Sequence, residues 1–383
     1  MTRSSELFSI AHPQPIICPM TPLELHELHA GLGACFGELN GFETVSHYGN
    51  ESDEGRYLAD SVGVIDLGFR SRLCLVGNDR SAYLHGQVTN NVNSLTTGTG
   101  CYAAIVSNKG KLVSDVNIYC LAEELLLDFE PGLTRLVTER LEKFIVSDDV
   151  EVCDVGQHFG LLSIQGPKAA DTIKRLDLGL ELPDNPLAHL AIEHETLGQL
   201  YLMNHVRGGS LGFDLFAETR SLPAIADKLI TAARELGGGA CGWEALEADR
   251  IEAGIPRFGQ DMDETHLAPE AGIEKRAISY AKGCYVGQEV INRIHSVGHV
   301  NRALCRLKFE DSCESSGLPG SKLFFEGKNV GYITSAVRSP RTNTSVGLGY
   351  VRREANATGT RLALHSESDD APVVVTGMVG EPL

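Results

Sequence analysis

Lys282-Gly283-Cys284-Tyr285-Val286-Gly287-Gln288-Glu289 sets one cysteine of the chain among residues suited to chemistry. A cation beside a thiol raises its thiolate fraction, and Lys282 stands two positions from Cys284. Gly283 and Gly287 bracket the cysteine and free the backbone for positive φ or for close approach to a ligand. Beyond them Val290, Ile294 and Val297 recur at helical spacing, Glu289 and Arg293 fall on another face, and Gly298 reads as a stop. The stretch predicts a glycine-flanked thiol on a tight turn that feeds a helix of about three turns. The same pattern also suits a buried cysteine acting as a small hydrophobe at a helix start.

The wording of the stretch narrows this choice. KGCYVGQEV, followed by Asn292-Arg293-Ile294 and Gly298-His299-Val300-Asn301-Arg302, resembles the signature of the YgfZ family. Members of that family bind folate, support iron–sulfur cluster assembly or repair, and descend from the glycine-cleavage T-protein fold. Asp249-Arg250-Ile251-Glu252-Ala253-Gly254-Ile255-Pro256-Arg257 and Gly259-Gln260-Asp261 look like further landmarks of the superfamily. So do Gly86-Gln87-Val88-Thr89-Asn90-Asn91-Val92, Asn108-Lys109-Gly110, Gln165-Gly166-Pro167, Gly331-Tyr332-Ile333-Thr334-Ser335 and Ser339-Pro340. The likeness begins near residue 47; the first forty residues are not diagnostic. It implies an α+β architecture of two interleaved subdomains, then a C-terminal antiparallel β-barrel, around a central folate channel. The expected division is an N-terminal helical segment over 1–40, a folate-binding region over 41–300 and the barrel over 301–383.

A length of 383 residues allows two or three domains. The net charge of −18 argues against direct, salt-driven nucleic-acid binding and against docking on anionic membranes. The ten cysteines, at 18, 35, 74, 101, 120, 153, 241, 284, 305 and 313, show no CxxC and no zinc-ligand spacing. They read as reduced thiols of a cytoplasmic protein. The first twenty residues lack a signal-peptide core, and no run is apolar enough to span a membrane.

Along the chain, Leu25, Leu28 and Leu32 after Thr21-Pro22 predict a helix with a threonine cap and an N1 proline. Arg72–Val76, Asn117–Leu121, Leu125–Leu127 and Val150–Cys153 predict strands. Helical spacing marks 133–145, 167–173 and the stretch from Pro223 to Leu236, which Gly237-Gly238-Gly239 ends. There is no P-loop and no dinucleotide fingerprint. After Arg302, short apolar runs between Gly, Pro and Ser turns predict a small antiparallel β-domain.

The resemblance places the candidate chemistry. Arg250 stands where the family puts a folate-contacting arginine, and its alternative is a pair with Glu247 or Glu252. The resemblance also places Tyr102, Gln87 and Asn90 in the same tetrahydrofolate-binding wall; the alternatives are a half-buried strand tyrosine and side chains that only cap a turn. The T-protein's two adjacent acids become Ser114-Asp115, leaving one carboxylate to handle a proton. Its pterin-binding glutamate becomes Ser210, a neutral partner, which counts against aminomethyl transfer. His295 and His299 are four apart, but Gly298 interrupts their helix, and no metal site is expected. Cys284, Lys282 and Asp115 are thus the candidate catalytic residues. The expected partners are folate and iron–sulfur proteins or their assembly machinery, with any effect on tRNA modification indirect. The alternative is a folate-dependent aminomethyl or other one-carbon transferase; a scaffold with a collapsed pocket is the third reading.

Overall fold

Period-2 alternation decides the architecture. The computed structural model describes residues 20–381 apart from 311, 312, 314, 316 and 366–371, so Cys18 and the first half of the expected N-terminal segment lie outside it. A six-stranded sheet has the order His189–His194, Gly198–Asn204, Gly212–Glu218, Phe159–Gln165, Gly63–Asp66, Gly239–Ala240, and only the last pairing is parallel. A five-stranded antiparallel sheet has the order Gly100–Val106, Leu112–Cys120, Leu125–Phe129, Ser71–Val76, Glu151–Asp154. The second sheet's segments fall between strands of the first, so the two α+β units are interleaved in sequence.

Alternate side chains of each strand enter different cores. Leu200, Leu202, Phe213 and Leu215 pack under the Ala169–Lys174 and Leu222–Glu235 helices. Met203, Phe216 and Leu161 meet Cys74, Tyr119 and Leu126 of the other sheet. Leu73, Leu75, Leu125 and Leu127 pack with Leu84, Val137 and Leu141 of the Arg80–Gln87 and Thr134–Glu142 helices. The result is helices, sheet, sheet, helices.

The C-terminal sheet runs Lys322–Phe325, Lys328–Arg338, Ser345–Arg352, Arg302–Phe309, Val373–Met378, Arg361–Leu362, all antiparallel. A bridge from Phe324 to Ala363 joins its two ends into a nearly closed barrel. Among the described residues, no helix is long and apolar enough to cross a membrane.

Two expectations are corrected. The N-terminal helix is only His26–Gly31, and Thr21 does not cap it. Thr21 instead pairs through its backbone with Gly41 and Glu43, as an added edge on the Phe42–His47 strand. The strand expected at Asn117 begins at Leu112, because Asp115 and Asn117 are inward strand residues and not turn residues.

Candidate functional site

Rows of inward side chains change character as they leave the core between the two sheets. One runs Leu121, Tyr119, Asn117, Asp115; another Leu126, Asp128, Glu130. Opposite them Met203 is followed by His205 and Arg207, and Phe216 is preceded by Asp214. The apolar ends seal the core. The charged ends open into a cavity walled by Arg70, Asp115, Asn117, Glu130, His205 and Arg207. Leu67, Leu246 and Trp243 supply apolar wall, and Tyr102, Glu247, Arg250, Arg257 and Arg276 complete the rim.

The wall charges form an alternating chain. Asp214 holds Arg207 at 2.6 Å, Arg207 reaches Asp128 at 3.0 Å, and Asp128 holds Arg70 at 2.7 Å. Arg70 reaches Glu130 at 2.6 Å, Glu130 faces Arg257 at 3.3 Å, and Arg257 meets Glu247 at 3.0 Å. That last contact is an ion pair whose Nε–H is not aligned as a hydrogen bond. Glu247 binds Arg250 at 2.9 Å, and Arg250 ends the chain on Asp261. Buried charges persist only when paired. Despite burial, Arg70 and Arg207 pull the Asp128 carboxyl down to about 2, and Arg207 and His205 hold Asp214 far below its ordinary value. Burial, helped by Arg207, depresses the His205 imidazole, which favours its neutral form.

Asp115 stands apart from this chain. Its Oδ2 accepts the Tyr102 hydroxyl at 2.8 Å, and no cation pairs with it among the described residues. Burial, reinforced by the negative charge of Glu130, pushes its carboxyl up to about 6. A carboxyl that exchanges its proton near neutrality, in a cavity wall, suits acid–base work. Ser114 alternates to the other face of the strand, buried, with its hydroxyl on the Asp115 carbonyl at 2.8 Å. Of the two positions that could carry an acid, only Asp115 therefore faces the cavity.

The remaining predicted residues divide. Asn90 braces the wall: its Nδ2 donates to the carbonyls of Tyr102 at 2.8 Å and Arg276 at 3.0 Å. Gln87 does not line the cavity; its Oε1 accepts Arg140 at 3.0 Å. Arg250 does line it, but its guanidinium is taken by Glu247, Asp261, Ser335 and the Ile255 carbonyl. Lys282 is buried, and its ammonium donates to the carbonyls of His85, Val88 (2.6 Å) and Asn90 (2.9 Å). It therefore closes the end of the Arg80–Gln87 helix, and the three carbonyls occupy the ammonium that was expected to serve Cys284. Burial lowers that ammonium to about 8.

Cys284 is exposed and is not part of this cavity. The turn beside it is built as expected at Gly287, which has φ +85° and where a Cβ would sit 2.3 Å from the Ser107 carbonyl, and the Gln288–Val297 helix follows. Gly283, by contrast, has no positive φ, and a Cβ there would meet nothing closer than His85 at 3.7 Å. Ser210 also lies off the cavity wall. His295 stacks on Tyr280 at 3.7 Å and pairs with Glu274 at 3.2 Å. Arg70, Asp128, Glu130, His205, Arg207, Arg257 and Arg276 were not singled out from the sequence. For Asp128, Glu130, His205 and Arg207 the available signal was charge at alternate positions along or just beyond otherwise apolar strands. Arg257, in a loop, and Arg276, in the Glu274–Ala277 helix, carried no such signal.

With the geometry in place, similarity to known proteins is informative. The GCVT N-terminal domain matches residues 25–282, and the glycine cleavage T-protein C-terminal barrel domain matches 302–379. A chloroplastic protein of Arabidopsis thaliana, provisionally named a transferase, is 26% identical over 370 residues, covering 93% of this chain and 79% of that protein. The aminomethyltransferase of Staphylococcus saprophyticus is 25% identical over 342 residues, covering 89% and 92%. In structure, glycine cleavage system aminomethyltransferase T from Bartonella henselae superposes with a TM-score of 0.82 at 21% identity, over 94% of this chain and 97% of that one. That likeness shows the fold.

Proposed function

The chain belongs to the glycine-cleavage T-protein family, and from that premise we propose that it binds tetrahydrofolate in the charged cavity and supports iron–sulfur cluster assembly or repair through Cys284. The donor set suits a reduced folate. Asp115 and Asn117 offer polar partners for the N–H and amide edges of a flat heterocycle, Trp243, Leu246 and Leu67 offer apolar wall, and the rim carries arginine. Bound tetrahydrofolate supplies a ring nitrogen able to take up a one-carbon unit. The protein's part is to orient that ring, exclude water and hold or release a proton at the Asp115 carboxylate.

The observation that carries the accessory role is Asn90. Its carbonyl accepts Lys282 from the cysteine turn, while its side chain holds the backbone of Tyr102 and Arg276 in the cavity wall. The thiol turn and the folate wall thus share a brace. Folate occupancy is felt at the turn that presents Cys284 to a partner, a YgfZ-like arrangement in which effects on tRNA modification are indirect. The test is complementation of a strain lacking the protein, read as the activity of iron–sulfur enzymes. Cys284→Ala should fail to restore that activity while keeping its melting temperature and folate binding; full restoration would remove the thiol from the function.

A second reading, a folate-dependent aminomethyl or other one-carbon transferase, is favoured by the Asp115 carboxyl at about 6 under the Tyr102 hydroxyl. It requires production of methylenetetrahydrofolate from an amine donor by the purified protein.

A further inference from the structure

Building on the folate reading, we propose that Arg276 at the cavity mouth, and not Arg250, is the subsite for the carboxylates of the ligand's glutamate. Five arginines line the cavity. Four are each claimed by two carboxylates: Arg70 by Asp128 and Glu130, Arg207 by Asp128 and Asp214, Arg250 by Glu247 and Asp261, Arg257 by Glu130 and Glu247. A guanidinium satisfied on both sides has little left to offer an incoming anion. Arg276 makes no ion pair among the described residues, and its side chain is exposed.

Its position is nevertheless fixed. Asn90 donates to its carbonyl at 3.0 Å, and the guanidinium carbon sits 4.8 Å from the Tyr102 ring centroid. Attraction to a ring face leaves the N–H donors free for a carboxylate. Tyr102 hydrogen-bonds Asp115 at 2.8 Å, so the free cation and the free acid stand on either end of one side chain. The nearest acid on its own helix, Glu274, is taken by Tyr280 and by His295 at 3.2 Å.

The charge of the wall favours such a group. In the alternating chain, acids outnumber arginines by one, and ionised Asp115 adds another negative charge. A dianionic tail entering this wall would meet net repulsion, which the single charge of Arg276 reduces where the tail emerges. A solvent-facing arginine at the mouth also matches where the polar end of a long ligand must emerge once its ring is inside.

The test compares tetrahydrofolate with its diamide, in which both glutamate carboxylates are carboxamides, by calorimetric titration of the full chain at low salt. Wild type should prefer the carboxylate form by about tenfold, the value of a charge-assisted contact. Arg276→Met should bind both forms within about twofold of each other and match wild type on the diamide; Arg276→Lys should restore part of the preference. Salt should erode the wild-type preference. If Arg276→Met keeps the tenfold preference, or wild type has none, the subsite lies elsewhere and the proposal is overturned. If wild type binds neither form, the folate reading itself fails.

Discussion

Replacing Arg250 with methionine separates a clamp from a ligand contact. Arg250 is buried, with its side chain 5% exposed and that of its partner Asp261 fully covered. Removing one member of such a pair costs about 3–5 kcal/mol, because the other charge is left buried and unpaired. Here the loss is cushioned. Asp261 keeps the hydroxyls of Thr334 at 2.5 Å and Ser335 at 2.7 Å, and the Arg257 amide at 3.1 Å. Glu247 keeps Arg257 at 3.0 Å. The expected cost is therefore about 3 kcal/mol, the lower end of that range. At about 2 °C per kcal/mol for a chain of this size, the melting temperature falls by about 6 °C. Calorimetric melting of ligand-free protein reads this directly, and folate titration well below the transition reads the ligand side. Since the four groups that hold the guanidinium are protein groups, affinity there should change less than about threefold. A variant that melts within 1 °C of wild type, by the same scaling less than about 0.5 kcal/mol, yet loses folate affinity tenfold would refute the clamp.

Asp115→Asn should abolish any transfer activity, and wild-type activity should rise with pH through about 6 as the carboxylate forms. Because folding raises this acid above its ordinary 3.8, Asp115 favours the folded state at low pH and that contribution is lost as pH climbs through about 6. The asparagine variant should then be no less stable than wild type at pH 8 in urea titrations, and a large loss there would contradict the assignment. Lys282→Met strands the carbonyls of His85, Val88 and Asn90. It should cost about 1–3 kcal/mol in urea denaturation. The rate of Cys284 alkylation by iodoacetamide should stay within about threefold, since the ammonium serves carbonyls and not the thiol; a tenfold drop at unchanged stability would restore Lys282 as the thiol's activator.

Much of the architecture was legible because it rests on periodicity. Leu73 and Leu75 against Cys74, or the helix from Pro223 to Gly237, carry their burial pattern in the chain itself. The same rule misled at the site. Asp115 and Asn117 are polar because they face a cavity, so sequence pattern alone starts at Asn117 a strand that begins at Leu112. Ser114-Asp115 could not be resolved in one dimension, whereas strand parity puts only Asp115 on the wall. Motif position pointed to Lys282, Gln87 and Arg250, yet a motif does not reveal whether a polar group is already satisfied. All three are, by carbonyls, by Arg140 and by two carboxylates respectively. Several of the acids that bind the arginines come from segments tens of residues away, such as Asp128 for Arg70 and Glu130 for Arg257.

The alternating chain runs from Asp214 in the first sheet, through Asp128 and Arg70 of the second, to Asp261 against Thr334 and Ser335 of the barrel. Buried ion pairs add little net stability over apolar packing, so stability alone does not account for nine charged groups at this seam. Buried charges that must pair can instead constrain how elements dock. A sheet or barrel docked in the wrong register would leave charges unpaired, at a cost of several kcal/mol each. The seam is thereby held open and polar where apolar side chains would have closed it. Within such a wall, each paired group is locked by its neighbours and cannot respond to a ligand without breaking them. Response is left to the members outside the pairing, Asp115 with its exchangeable proton and Arg276 with its free guanidinium, joined through Tyr102. Asn90 contacts both sides: its side chain holds the carbonyls of Tyr102 and Arg276, and its own carbonyl accepts Lys282 of the cysteine turn.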